Sequence, residues 1–344
     1  MTGVLLDVVY PSGGSWTDRM GGRGSGSHDF VLGDAPYTRE QWRDLLHPWR
    51  RTLVVLWDFA PVYAGVIVRS AYDPAAGSVT VDHECVRTLL DARLLFANGD
   101  YGNAGLRIDD VSPWTALRRI LNRGITGAGR GLPFDLSHVP GGGVGDISMR
   151  WPAEQLPTVS DAVKELEDLG HEVKFSPQFV GDHQFSWAPL IGDKKLSGTQ
   201  TEHVLGVVDS PLSGVSVVVD GSRAATSVFV AGNGSGEDML VAWAPEGPPP
   251  GGGPALERLE SAKRARAGLP AVALGRLQGR GQQTMQWSLS VDLELESPVS
   301  YVTTSLIRMH TVGDPWLSQA GFDLKVISVS GDMEMTLRPE VQPL

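Results

Sequence analysis

Residues 287–295 place Trp287, Leu289, Val291, Leu293 and Leu295 at every second position, with polar residues between them. A period of two puts all five apolar side chains on one face of an extended strand, whereas a helix would scatter them around its axis. A strand with one apolar face needs a second layer to cover it and neighbours to pair its backbone. Asp292, Glu294 and Glu296 alternate on the other face. They read as a solvated sheet face and not as the carboxylate pair of a glycosidase.

The same pattern recurs along the chain. Residues 4–9 read as a short strand. Residues 52–57 and 61–69 are two β-rich runs separated by 58–60, the mark of a hairpin. Gly65 lies inside the second run, which predicts a bulge or a close backbone approach. The turn 73–77 (DPAAG) leads into a strand over 78–86. Strands are also predicted at 171–175, 184–187, 215–219, 226–230 and 239–243, with a closing hairpin of 322–329 and 333–337 turned at 330–332.

Helical spacing appears at 37–46 around Trp42, at 113–122, and most clearly at 158–169, where Thr158 and Asp161 form a capping-box pattern. A shorter helix is expected at 255–267, and 88–96 reads as helical or irregular. Gly- and Pro-rich stretches at 12–27, 98–105, 127–145 and 245–254 read as loops or linkers. The order predicts an α+β, β-dominated chain in three sections. These are a first β-domain over 1–97, a helix-containing middle domain over 98–203, and a second β-domain over 204–344, interrupted at 245–280.

The chain has 344 residues, enough for two or three domains, and a net charge of −11. Such a surface repels nucleic acid, and the basic groups at 50–51, 118–119 and 263–266 are short and scattered. The single cysteine, Cys85, excludes an intrachain disulfide and a multi-cysteine metal site; it reads as a small buried hydrophobe. The N-terminus lacks the basic region of a secretory signal, and no apolar run approaches the ~18 residues of a membrane span.

Eight histidines are present without an HExxH motif. His83 and Cys85 would share one side of a strand, but no third group is visible to orient the ring. There is no GxSxG elbow and no GxxxxGK[ST] loop. The expectation is a non-enzyme with no catalytic residue, metal or cofactor. Ten tryptophans are present, with Trp16, Trp42, Trp49 and Trp57 in the first section. They read as core or subunit interface, with carbohydrate binding as the other use of such residues.

Residues 30–96 carry a strand ending in FVL, a Trp42-centred helical stretch and the run RRTLVVLWDFAPVYAGVIVRSAYDPAAGSVTVDHECVRTLLDARLLF. This pattern resembles the first domain of siphophage tail hub proteins, the minor tail proteins of actinobacteriophages. Phe59-Ala60 stands where that family more often has a glycine turn. Residues 171–192 and 214–240 resemble the family's mid-chain strand pair and the segment after it, with Ala225 in place of an asparagine.

The resemblance implies two tube-like β-barrel or sandwich domains flanking an α/β section. It implies a homotrimeric hub ring in the virion, at the distal end of the tail tube. Its partners would be the distal tail protein ring, the tail tube, the tape-measure protein and other minor tail or receptor-binding proteins. It would touch the host envelope indirectly, and it would read no nucleic-acid sequence. Within the matched segments Trp42, Trp57, Tyr63, Gly65, Phe185 and Trp187 are the candidate core or subunit-interface positions. The alternatives are a hexameric distal tail protein and a carbohydrate-binding or cell-wall-degrading tail-tip protein.

Overall fold

A computed structural model of the chain describes residues 3–34, 36–96, 105–127, 129–181, 184–193, 195–207, 210–222, 224–244, 254–262, 268–278, 284–317 and 321–344. The linker expected at 245–254, the loop expected at 98–105 and the basic group at 263–266 fall wholly or almost wholly outside the described residues.

The first section opens with the hairpin β1 (Gly13–Arg19) and β2 (Ser25–Val31). Helix α1 (Arg39–Leu45) follows, closed at its start by a reciprocal capping box between Thr38 and Gln41. Then come β3 (Thr52–Trp57), β4 (Ala60–Asp73), β5 (Ser78–Glu84) and the short helix α2 (Arg87–Asp91). The middle section holds β6 (Leu106–Val111), α3 (Pro113–Ile125), β7 (Ile147–Trp151), α4 (Val159–Asp168), β8 (Val173–Val180) and β9 (Gln184–Ile191).

The last section starts with β10 (Gln200–Leu205) and β11 (Leu212–Asp220). A small sheet of β12 (Ser227–Ala231), β13 (Val241–Ala244) and β14 (Glu257–Ser261) is inserted next, packed against α5 (Leu269–Gln278). The chain closes with β15 (Thr284–Asp292), β16 (Leu306–Thr311), β17 (Phe322–Asp332) and β18 (Thr336–Pro343).

The fold is α+β and β-dominated, and its centre is one sheet of eleven strands. Nine of them run in the order β11-β15-β18-β17-β1-β2-β5-β4-β3. β18 lies along one edge of β17, while β16 and then β1 share the other, and β10 pairs in parallel with β16. The first and last β-sections contribute to one shared sheet, and the described strands close no barrel. The sections are joined by the antiparallel ladder from Ser15↔Asp332 to Arg19↔Ser328.

Other expectations need correction. Residues 12–27 are a hairpin and not a loop. Two of their glycines make room for neighbouring rings: a Cβ on Gly14 would lie 2.5 Å from His28 Cδ2, and one on Gly26 would lie 2.4 Å from His83 Cε1. Residues 4–9 form no strand, and among the described residues they hold one strand bridge, Val4 to Gln184. The helix expected at 255–267 is strand β14 where it is described, because its backbone pairs with β12, and the helix begins at Leu269. Leu295 is 58% exposed, since β15 ends at Asp292, whose carboxylate caps the Glu294 N–H at 2.9 Å and turns the chain. The closing hairpin turns after Asp332, which accepts from Glu334 N–H and pairs with Arg338. Helix α3 runs through Gly124, where the close crossing of α4 leaves no room for a side chain: a Cβ there would meet Val159 Cγ2 at 2.7 Å.

The middle section builds the largest core. Leu117, Ile120 and Leu121 of α3 and Val163 and Leu166 of α4 pack with Trp151 and Trp187. Buried ions pin this section to the sheet. Arg87 of α2 grips Glu167 of α4 with two hydrogen bonds, at 2.5 and 3.2 Å, and donates a third to the Val173 carbonyl at 3.0 Å. Lys174 Nζ donates to the Thr303 carbonyl at 2.6 Å, and the Thr303 hydroxyl donates to Asp18 at 2.7 Å. Lys325 of β17 pairs with Glu172, which also accepts from Leu196 N–H.

Removing one partner of a buried ion pair leaves the other desolvated and unpaired. Arg87→Ala is expected to cost about 3 kcal/mol of stability in denaturant unfolding. A neutral result would show that Arg87 does not hold the middle section to the sheet.

Candidate assembly surface

The six candidate core or interface residues divide sharply. Trp42 is buried against Phe30, Ile67 and Val81, with Tyr37 edge-on at 5.0 Å and its indole N–H donating to the Leu32 carbonyl. Phe185 and Trp187 meet edge to face at 4.8 Å in the large core. Tyr63 stacks on Trp16 at 5.3 Å. Gly65 is the close approach expected of it: a Cβ there would lie 2.7 Å from both the Tyr63 hydroxyl and His83 Nδ1. These five are consumed by packing within the subunit. Trp57 alone is only half-buried, and it ends β3, a terminal strand of the sheet.

Tyr63 and Gly65 border a buried polar cluster that motif reading missed. His28 Nδ1 and His83 Nε2 lie 2.8 Å apart, and the Tyr63 hydroxyl is 3.2 Å from His83 Nδ1. The two histidines are 55 residues apart in sequence, so no local spacing announces them. With both rings neutral, one tautomeric arrangement or its reverse satisfies both contacts. With both charged, two N–H groups would face each other. Burial, and then the neighbouring His28, push His83 down to about 3, and burial lowers His28 as well. Burial likewise raises the Tyr63 phenol. Among the described residues no group of three or more His, Cys, Asp or Glu is placed to hold a metal ion.

The two ends of the sheet are chemically unusual. β3 reads TLVVLW, six uncharged residues without proline. β11 reads LSGVSVVVD, with Val218 and Val219 55% and 45% exposed and its only charge at the last position. Among the described residues no strand pairs with the outer edge of either. Edge strands ordinarily carry charges, prolines or strong bulges that block further pairing. β3 lacks charge and proline and has one register shift, at Val55/Leu56; β11 has a single register shift near Gly214. An open sheet with an apolar strand at each end can add a strand at either end.

Because both histidines are held neutral in the fold, the unfolded chain takes up protons first as pH falls. Their contribution is complete above the ordinary histidine value of 6.5 and is lost below it, continuing for His83 to about 3. The expected slope is up to ~1.4 kcal/mol per pH unit for each ring. Histidine NMR of the folded protein checks this, and a His83 ring titrating near its ordinary value would contradict it.

No protein-family model matches the chain, and no curated protein matches it in sequence. Its fold does match solved structures. The tail protein from Neisseria meningitidis MC58 aligns with 97% of this chain and 92% of its own, at 10% identity and a TM-score of 0.57. The 43 kDa tail protein of prophage MuSo2 from Shewanella oneidensis gives 97%, 94%, 10% and 0.57. The prophage tail protein gp18 from Listeria monocytogenes EGD-e gives 96%, 87%, 11% and 0.50. At such identities the likeness is one of fold, and the fold shared with this chain is that of phage and prophage tail proteins.

Proposed function

We propose that the chain is a structural subunit of a phage tail tip, a hub whose copies join edge to edge into a ring at the distal end of the tail tube. It acts as a scaffold and not as an enzyme. The observation that carries this reading is the open eleven-stranded sheet that ends in β3, which has no charge, and β11, whose only charge is Asp220 at its last position. One end of such a sheet is not the same patch as the other, so a contact between them is head-to-tail. Head-to-tail contacts close into rings when the rotation allows. A ring also removes both exposed edges at once.

The shared fold of solved tail proteins supports the tail assignment. Three copies is the number that the resemblance of residues 30–96 to tail hub proteins implies. The distal tail protein ring and tail tube on one side, and receptor-binding tail proteins on the other, are the proposed partners. The tape-measure protein would end in the lumen. The net charge of −11 suits a subunit that passing DNA does not bind.

Native mass spectrometry of the purified chain, or imaging of the particle along the tail axis, is expected to count three subunits. Six would move the protein to the distal tail ring, and a monomer at all concentrations would contradict a ring. Val218→Lys, which places a charge on the exposed β11 edge, is expected to abolish assembly while leaving the subunit folded by circular dichroism.

A further inference from the structure

The turn between β3 and β4 is built against its own local chemistry. Trp57 pairs with Ala60, leaving Asp58 and Phe59 as a two-residue loop. Their φ angles are 46° and 63°. Two central residues with positive φ define a type I′ turn, for which Asp-Gly is among the favoured sequences. The first position here is the preferred aspartate. The second holds phenylalanine, a bulky residue that disfavours the left-handed region. Its ring gains nothing in return within the subunit, since Phe59 is 86% exposed. A free subunit therefore bears both backbone strain and an apolar ring in water, where glycine would bear neither.

The position of this residue points to its use. Phe59 lies two residues beyond the end of β3, the uncharged terminal strand, with Asp58 between. Before the other end of β3, with Arg50 and Arg51 between, Trp49 also has a positive φ, 62°, and is 50% exposed. Two exposed aromatics in left-handed conformations thus bracket the one edge. Whatever pairs with β3 must lie beside them. The complementary edge on this chain is β11, also uncharged until Asp220 and carrying the exposed Val218 and Val219.

We infer that Phe59 is an assembly plug, held outward at the tip of the β3–β4 hairpin to pack against a second copy of this chain. This rests on the ring reading above and names a residue that fastens the contact. Edge pairing through backbone groups is tolerant of register. An aromatic anchor at one end of the strand fixes it, as buried aromatic hot spots do at other interfaces.

The test compares full-length wild type with Phe59→Gly. Thermal unfolding is measured at a dilution where the chain is monomeric, and self-association by sedimentation. Phe59→Gly is expected to raise the unfolding midpoint of the monomer, because Asp58 is then followed by the residue that the turn prefers. It is expected at the same time to weaken association by at least about tenfold, the loss of one buried aromatic ring. Phe59→Asn, which tolerates the left-handed region without the ring, should weaken association likewise. Association of Phe59→Gly at wild-type strength, with Val218→Lys still blocking assembly, would overturn the plug and leave the ring standing. A wild-type chain that stays monomeric at every concentration would overturn both.

Discussion

The ladder between β1 and β17 is the constraint on which the rest depends. It joins residues near the start of the chain to residues near its end, and so turns two β-sections into one sheet. Trp16 sits within it, directly opposite Gly331 on one side and Gly26 on the other. A Cβ on Gly331 would lie 2.9 Å from the Trp16 ring, so the ring occupies the space that side chains would have filled. The sheet then curls until Tyr63 of β4 stacks on the same indole. Because the two sections spend one edge each on this ladder, β3 and β11 are left at the ends.

The middle section is held by ions as well as by apolar packing. Arg87, Lys174 and Lys325 are nearly excluded from solvent, and each reaches a partner in a different section. Buried charge adds little net stability over well-packed apolar residues, but it punishes any arrangement that separates the partners. These pins therefore favour one relative placement of α4, β8 and the sheet. A fixed placement suits the proposed ring, since a small change in angle decides whether head-to-tail contacts close.

Much of the fold could be read locally. The alternation through Trp287, Leu289 and Val291, the capping box at Thr158 and Asp161, and the β3–β4 hairpin are all short-range patterns that the structure follows. Failures came where a distant neighbour decided. The glycines of the β1–β2 hairpin look like loop residues until the rings of His28 and His83 are placed beside Gly14 and Gly26. Residues 257–261 have helix-forming composition but pair in parallel with β12. The His28–His83 contact and the identity of the end strands depend on pairing order, which no local period encodes. Phe59 lies between these cases: the sequence shows Phe59-Ala60 where a glycine turn is more usual, but the two-residue turn of Asp58 and Phe59, its positive φ and its exposure beside an edge strand depend on the Trp57↔Ala60 pairing.

The central claim is that copies join through β3 and β11. Hydrogen exchange on the monomeric and assembled protein tests it at the level of single amides. The account predicts that exchange slows on assembly in both Thr52–Trp57 and Leu212–Asp220, with smaller changes in the strands between them. Assembly that leaves both edge strands exchanging as they do in the monomer would contradict it.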